Sequence, residues 1–383
     1  TRQPATGFRE VVFVAHNAEL FLGLISGTSA DGIDVALARF EPAPRLHAAL
    51  THPYPDDLRQ RILALAQGDG RIALDELGTL DVEIARSFAV AANALLQREG
   101  IAASSITALG SHGQTVRHRP RQAPPYTLQL GDPNVIAEIT GITTVADFRR
   151  RDIAAGGQGA PLAPAFHAAM LARDGIDRVV LNLGGIANIS ILDNAPLRGF
   201  DTGPASCLLD AWAQEQLGEP FDRNGAFAAR GKVDEALLAR LLDEPYFAAA
   251  APKSTGREVF HLDWLHPRLH ASHATPADVQ ATLVELTARS IADAVRAHAP
   301  AAREVLVCGG GVHNPVLMGA IAAALAPLAV ASTATRGIDP DFVEAMAFAW
   351  LARERLLGHA PENVCNVTGA RGARVLGGIY FGA

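Results

Sequence analysis

Apolar runs that break at short polar, glycine-bearing turns set the pattern of this chain. Residues 20–25 form an apolar run that stops at Ser26-Gly27-Thr28-Ser29-Ala30-Asp31-Gly32 and resumes over residues 33–40, which predicts strand, turn, strand. Another strand is predicted near residues 45–52, followed by helices over 56–67 and 74–97, the second with apolar residues at helical spacing. Residues 106–110 read as a strand ending in Ser111-His112-Gly113-Gln114. The second half repeats this grammar. Residues 178–183 and 186–192 flank Gly184-Gly185, and 199–204 form a short strand and turn, with Pro204 suited to the first turn of a helix through Leu208, Leu209 and Trp212. An amphipathic helix is predicted over 276–299, a strand over 304–307 ending in Cys308-Gly309-Gly310-Gly311, and a last helix over 340–356. The repetition predicts two duplicated domains with their glycine turns at a shared cleft. The boundary is drawn in the glycine- and arginine-rich stretch 146–159, giving domains of residues 1–147 and 148–359, with 360–383 returning to complete the first.

Composition narrows the classes. A chain of 383 residues with 49% hydrophobic and 19% charged residues is expected to be soluble and globular, with a large core and two domains. Its net charge of −7 and the lack of a basic block argue against nucleic acid as a partner, since bulk phosphate binding needs clustered Lys and Arg. No run approaches the roughly 18 to 20 apolar residues of a membrane span. The N-terminus lacks a basic segment followed by an apolar stretch and cleavage site, so the expectation is a cytoplasmic protein without a membrane partner. Cys207, Cys308 and Cys365 are too few and too widely spaced for a disulfide framework or a C-x-x-C zinc site, which leaves reduced, buried thiols.

The turns hold the candidate chemistry. In Ser26-Gly27-Thr28-Ser29-Ala30-Asp31-Gly32-Ile33-Asp34, glycines allow close backbone approach and N–H groups and hydroxyls can donate to phosphate oxygens. Asp31 or Asp34 can hold Mg2+ through water. The same residues also fit a polar hairpin held by Asp and Ser turn bonds. There is no Walker loop, because Gly231-Lys232 is followed by Val233, and neither the 156–159 nor the 309–311 glycines complete G-x-G-x-x-G. Four turns taken together say more: the Ser26 turn, Asn182-Leu183-Gly184-Gly185, Asp201-Thr202-Gly203-Pro204 and Cys308-Gly309-Gly310-Gly311. In this order they resemble the phosphate and adenosine turns of the actin, Hsp70 and sugar-kinase superfamily. That resemblance implies an α/β fold of two actin-like (ribonuclease H-like) domains with a central nucleotide and sugar cleft. It also implies ATP held by Gly27, Thr28, Ser29, Ala30, Asp31, Gly32, Ile33, Asp34, Asn182, Gly184, Gly185, Gly309, Gly310 and Gly311.

A closer resemblance rests on SGTSADGID, GSHGQT, QLGDPNVIAE, ADFRRRDIAAGGQGAPL, NLGGIANIS, GFDTGPA, PKSTGRE and CGGGVHNP. As a set, running from Ser26 to beyond Glu344, these motifs resemble the anhydro-N-acetylmuramic acid kinase family. The resemblance implies an enzyme that uses ATP and Mg2+ to phosphorylate 1,6-anhydro-N-acetylmuramic acid. It opens the anhydro ring with water, giving N-acetylmuramic acid 6-phosphate in peptidoglycan recycling, and a homodimer is what the family suggests. Two positions depart from the family pattern. Gly203-Pro204-Ala205-Ser206 stands where GPGN is common, and Ala30 stands where Met or Leu is more usual.

The resemblance implies Asp201 as the catalytic base, since the matching aspartate of the DTGP motif has that role. An aspartate capping the following helix is the alternative. Glu344 matches a family position that contacts the sugar, yet a glutamate favoured by the dipole of the last helix reads equally well. Arg149, Arg150 and Arg151 form a dense positive cluster, and a guanidinium suits the lactyl carboxylate of the substrate. The family match selects Arg150, with Arg149 and Arg151 facing solvent. His112 and Gln114 can meet sugar hydroxyls, and His112 also fits a structural histidine. The polar stretch Lys253-Ser254-Thr255-Gly256-Arg257-Glu258 either contacts ligand on domain closure or is an exposed loop.

Three rival readings remain at this stage. In an ordinary sugar kinase, Asp201 would deprotonate a hydroxyl. A hydrolase would have to be a glycosidase pairing Asp201 with Glu344, because no second Asp-Thr/Ser-Gly exists for aspartic-protease chemistry. A non-catalytic ATP-binding module is the third.

Overall fold

The computed structural model describes residues 19–68, 70–172, 175–251, 253–257, 259–270 and 272–382. The N-terminal stretch in which no leader is expected (residues 1–18) and Glu258 lie outside the described residues.

Two sheets repeat one strand order. The first contains β1 (Leu20–Ser26), β2 (Ile33–Arg39), β3 (Arg45–His52), β4 (Ile106–Arg119), β5 (Tyr126–Leu130) and β6 (Thr144–Ala146). The second contains β7 (Arg178–Leu183), β8 (Ile186–Leu192), β9 (Arg198–Pro204), β10 (Glu304–Cys308) and β11 (Ala329–Ser332). In the first, β3-β2-β1 is an antiparallel meander, with β4 and then β6 added parallel to β1. In the second, β9-β8-β7 is the meander, with β10 and β11 added in parallel. This shared order is the duplicated α/β unit expected of two ribonuclease H-like halves. A short strand, β12 (Gly378–Tyr380), closes the first sheet antiparallel to β6.

Period-two burial explains the layers. Leu22 and Leu24 face an outer core with the Leu74–Glu99 helix, while Phe21 and Ile25 face inward. In the second sheet Val179, Leu181 and Leu183 face outward to the Pro276–His298 helix, and Val180 faces inward. The inner layer joins the two sheets. Each fully buried Leu, Ile or Phe contributes about 1.5–3 kcal/mol, so three such layers hold the halves as folded units.

The Val343–Leu356 helix, which the sequence reading groups with residues 148–359, packs in the inner layer on β1 and β4. Two glycines permit this. Gly23 and Gly110 are register partners on β1 and β4, and a Cβ on Gly23 would sit 1.9 Å from the Ala345 carbonyl oxygen, one on Gly110 2.0 Å from that of Phe348. The helix backbone therefore lies against the sheet itself.

Three local expectations change. β4 continues to Arg119 instead of ending at Gly110, because its polar residues keep their ladder partners, Ser111 with Ala146 and Gln114 with Ser26 and Leu130. The last long helix begins at Val343 and not at Pro340. Pro204 ends β9 and lies outside the Ser206–Leu217 helix, for which Ala205 is the N-cap. None of the described helices is long and apolar enough to cross a membrane.

Candidate active site

A cavity of about 460 Å³ opens where three of the four turns converge, and Asp201 is not among the residues that line it. Ser29 and Asp34 reach it from the β1–β2 hairpin, Asn182, Gly184 and Asn188 from the β7–β8 hairpin, Gly309 and Gly310 from the end of β10, and Glu344 from the crossing helix. Gly309 has φ +83°, and a Cβ there would lie 2.5 Å from Asn182 Oδ1 and 2.8 Å from the Leu183 carbonyl oxygen. Only glycine lets this turn pack directly on the end of β7.

The first turn is braced from two sides. Gln114 is fully buried, donates from Nε2 to the Gly27 carbonyl at 3.1 Å, and accepts from the Tyr54 hydroxyl at 3.2 Å. It thus sits beneath the turn, outside the residues lining the cavity. Arg59 donates from Nε to the Ala30 carbonyl at 3.0 Å and from Nη2 to the Asp31 carboxylate at 2.8 Å. Ala30, at φ +50°, is fully buried in the outer core of the first sheet. Gly27 and Thr28 remain exposed. Asp34 accepts from the Thr51 hydroxyl at 2.6 Å, and burial together with the charge of Asp341 raises its carboxyl pKa.

The second turn and the helix after β9 are bonded to each other. The amides of Ala205 and Cys207 donate to the Gly185 carbonyl, each at 3.0 Å, and that of Ser206 to Gly184 at 3.1 Å. Ala205 has φ −123°, so no left-handed backbone opposes its side chain.

Asp201 lies within β9 opposite Asn188, and the N-cap of the following helix is Ala205, with no side-chain capping bond. The helix-capping alternative therefore does not hold. Instead, Asp201 Oδ2 accepts from the Thr255 amide at 3.0 Å, its own amide donates to the Lys253 carbonyl at 3.1 Å, and its carbonyl accepts from the Tyr246 hydroxyl at 2.6 Å. Lys253 Nζ donates to the carbonyls of Tyr246 and Phe247 at 2.9 and 3.0 Å. The described part of the 253–258 stretch is thus docked on Asp201.

Of the arginine cluster, Arg149 lines the cavity. Its Nε donates to His112 Nε2 and its Nη1 to the Gly159 carbonyl, both at 2.8 Å. Its charge faces Glu344 and Asp152. Glu344 is exposed to the cavity, and reduced solvation there raises its carboxyl pKa; Arg149 works against that rise and Asp34 adds to it. Arg150 is exposed, 3.5 Å from Asp147, and lines a second recess of about 240 Å³ together with Asp81, His112 and Asn134. His112, buried and with its ring centroid 4.7 Å from that of Phe348, separates the two recesses with Arg149. Sequence reasoning assigned Arg149 to solvent and did not single out Arg59. The first is hidden inside a run of identical residues, and the second sits on an amphipathic helix with no motif around it.

Comparison with known proteins places the chain. The sequence profile described as anhydro-N-acetylmuramic acid kinase matches residues 19–382. A curated protein of that name from Xanthomonas campestris pv. campestris is 56% identical over 370 residues, covering 95% of this chain and 98% of its own. Others from Xylella fastidiosa and Coxiella burnetii are 54% and 48% identical, again over 95% of this chain and 96% and 98% of theirs. Among solved structures, the activator of the 2-hydroxyisocaproyl-CoA dehydratase from Clostridium difficile with bound ADPNP aligns at TM-score 0.46 with 12% identity, covering 88% of this chain and 95% of that one. A ROK family glucokinase from Streptomyces griseus in complex with glucose and AMPPNP aligns at TM-score 0.39 with 14% identity, covering 88% and 99%.

Proposed function

The chain belongs to the anhydro-N-acetylmuramic acid kinase family, and we propose which of its residues carry the ATP-dependent reaction of that family. Its activity is that of an anhydro-N-acetylmuramic acid kinase in peptidoglycan recycling. In our reading water attacks the anomeric carbon of the anhydro sugar and the C1–O6 bond breaks. O6 takes the γ-phosphoryl group as the Pγ–O bond to ADP breaks, and the proton of the water passes to Asp201 and on to solvent. A second carboxylic acid to protonate the leaving oxygen is unnecessary, because the phosphoryl group accepts its electron pair. The observation that carries this reading is the frame around Asp201: a carboxylate held by the Thr255 amide, on a strand beside the phosphate turns, and not engaged as a helix cap.

ATP fits the glycine turns, with Gly27, Thr28 and Gly32 of the first, Asn182, Gly184 and Gly185 of the second, and Gly309, Gly310 and Gly311 at the adenosine end. The close packing of Gly309 on Asn182 leaves the strand ends without side-chain bulk, as a flat base and charged oxygens require. Among the described residues no group of three or more His, Cys, Asp or Glu is arranged to hold a metal. Mg2+ bound mainly by phosphates and water needs only one or two carboxylates, and Asp34 at the cavity suits that better than Asp31, which is paired with Arg59. The ion would neutralise phosphate charge as transfer proceeds. Glu344 and Arg149 face the sugar in the cavity. His112 and Arg150 line the adjoining recess, where Arg150 suits the lactyl carboxylate, and Gln114 braces the phosphate turn from below. We divide the chain at residues 147 and 360, with the Val343–Leu356 helix as the joint between halves. The free thiols of Cys207, Cys308 and Cys365 agree with a cytoplasmic enzyme, and a homodimer completes the reading.

The test is product mass with ATP, Mg2+ and 1,6-anhydro-N-acetylmuramic acid. The product should carry one phosphoryl group and one added water. Asp201→Asn should bind ATP nearly as before while kcat falls by about three or more powers of ten. A phosphorylated product with its anhydro ring intact would return the ordinary sugar-kinase reading, and near-normal turnover by Asp201→Asn would remove the base from this residue.

A further inference from the structure

Arg257 has no task in the scheme above. It is exposed, and among the described residues it makes no hydrogen bond and no salt bridge. It nevertheless lies on the second phosphate turn: a Cβ added to Gly185 would meet its Nε and Nη2, each at 3.4 Å. The absence of a side chain at Gly185 therefore leaves the guanidinium close to the backbone of the turn. The charge of Arg257 also acts on the Cys207 thiol and the Asp210 carboxyl, both on the Ser206–Leu217 helix whose first amides bond Gly184 and Gly185. Asp210 in turn feels Asp31 of the first turn, so this cation stands within electrostatic reach of a group that senses the first turn as well.

The backbone that carries Arg257 is fixed on both sides. On one side are the bonds from the Thr255 amide to the Asp201 carboxylate and from the Asp201 amide to the Lys253 carbonyl, at 3.0 and 3.1 Å. On the other, the amides of Val259 and Phe260 both donate to the Gly256 carbonyl, at 3.1 and 3.2 Å, and Phe260 is buried in the core of the second sheet. A solvated surface arginine needs no such frame. A transferring phosphoryl group does need positive charge on its equatorial oxygens, from groups positioned before the reaction begins.

We infer that Arg257 is a catalytic residue whose guanidinium meets the γ-phosphoryl group as it passes from ADP to O6 of the sugar. The inference rests on the kinase reading and adds to it a residue assigned no role there. Arg257 exchanges no proton and no electron pair. It donates hydrogen bonds to the phosphoryl oxygens while the Pγ–O bond to ADP breaks and the O6–P bond forms. The Lys253–Thr255 backbone then holds the water-activating carboxylate and the phosphoryl-stabilising cation in one unit, so both halves of the reaction depend on the same loop.

Steady-state kinetics of the full chain with ATP, Mg2+ and 1,6-anhydro-N-acetylmuramic acid test this, with Tm measured in parallel. Arg257→Ala should lower kcat about 10³-fold, with the sugar KM and Tm little changed. Arg257→Lys should retain part of the loss, and methylguanidine added to Arg257→Ala should restore at least about tenfold while leaving Asp201→Asn unaffected. If Arg257→Ala loses its melting transition, Arg257→Gln carries the same expectations. A kcat within about fivefold of wild type, or a change confined to the KM for ATP, overturns the assignment. Wild-type protein that forms no phosphorylated sugar overturns the underlying reading and the inference with it, whereas active wild type with active Arg257→Ala overturns the inference alone.

Discussion

His112 Nε2 accepts a hydrogen bond of 2.8 Å from Nε of Arg149, and this contact decides the state of the imidazole. A guanidinium only donates, so the ring must carry its proton on Nδ1, which lies 2.8 Å from the Gly113 carbonyl. Burial, and then the charge of Arg149, push the pKa of His112 well below the usual histidine value, which keeps the ring neutral. A neutral histidine thus holds the arginine that faces Glu344 in the cavity.

His112→Phe should keep a ring beside Phe348 while removing the acceptor. Leaving a buried Nε–H unpaired costs about 1–3 kcal/mol, so kcat/KM for the anhydro sugar should fall roughly 10- to 100-fold. His112→Gln, which can still accept, should recover part of the loss. Equal kinetics for both variants and wild type would show that Arg149 does not depend on this bond.

Glycines at two positions should respond in opposite directions. Gly110→Val places a side chain where a Cβ already falls 2.0 Å from the Phe348 carbonyl oxygen, and should cost about 3 kcal/mol or more in chemical denaturation as the crossing helix is pushed off the sheet. Because Glu344 rides on that helix, the folded fraction should also lose activity. Gly319→Ala, inside the Pro315–Leu325 helix with nothing within 4 Å of the new Cβ, should stabilise by about 0.5–1 kcal/mol. A neutral Gly110→Val would contradict the close approach.

His167 should contribute stability that rises with pH between about 4 and 6.5, against Asp210, whose carboxyl burial pushes up to about 6 and whose contribution runs the opposite way. His167 is buried, its Nδ1 lies 3.0 Å from Ser190 Oγ, and burial lowers its pKa to about 4. Between those values the unfolded chain takes up a proton that the folded chain refuses. The contribution is therefore complete above the unfolded value and is lost as pH falls toward the folded one, on the order of 3 kcal/mol for this group. Urea unfolding of wild type and His167→Leu at pH 7.5 and pH 5 should differ in pH slope by that contribution, which the variant lacks. An unchanged pH slope in that variant would show that His167 does not carry this contribution.

Local chemistry carried much of the architecture and the activity into the sequence. The β1–β2 and β7–β8 hairpins, their glycine turns and the strand before Gly309 are legible because period-two burial and glycine breaks are properties of neighbouring residues. The motifs around those turns were enough to place the chain in its family, and with it the reaction. Tertiary packing decided the rest. Which arginine of three faces the cavity depends on the phase of the Phe148–Ala154 helix, where Phe148, Asp152 and Ile153 turn inward and carry Arg149 with them. Gln114 is a brace because β4 continues past Gly110 and passes under the first turn. The 253–257 stretch finds Asp201 across some fifty residues of chain, and Gly23 with Gly110 admits a helix more than two hundred residues later. None of these pairings leaves a periodic trace. Each is chosen by the fit of surfaces that meet only after the strands and helices are already made.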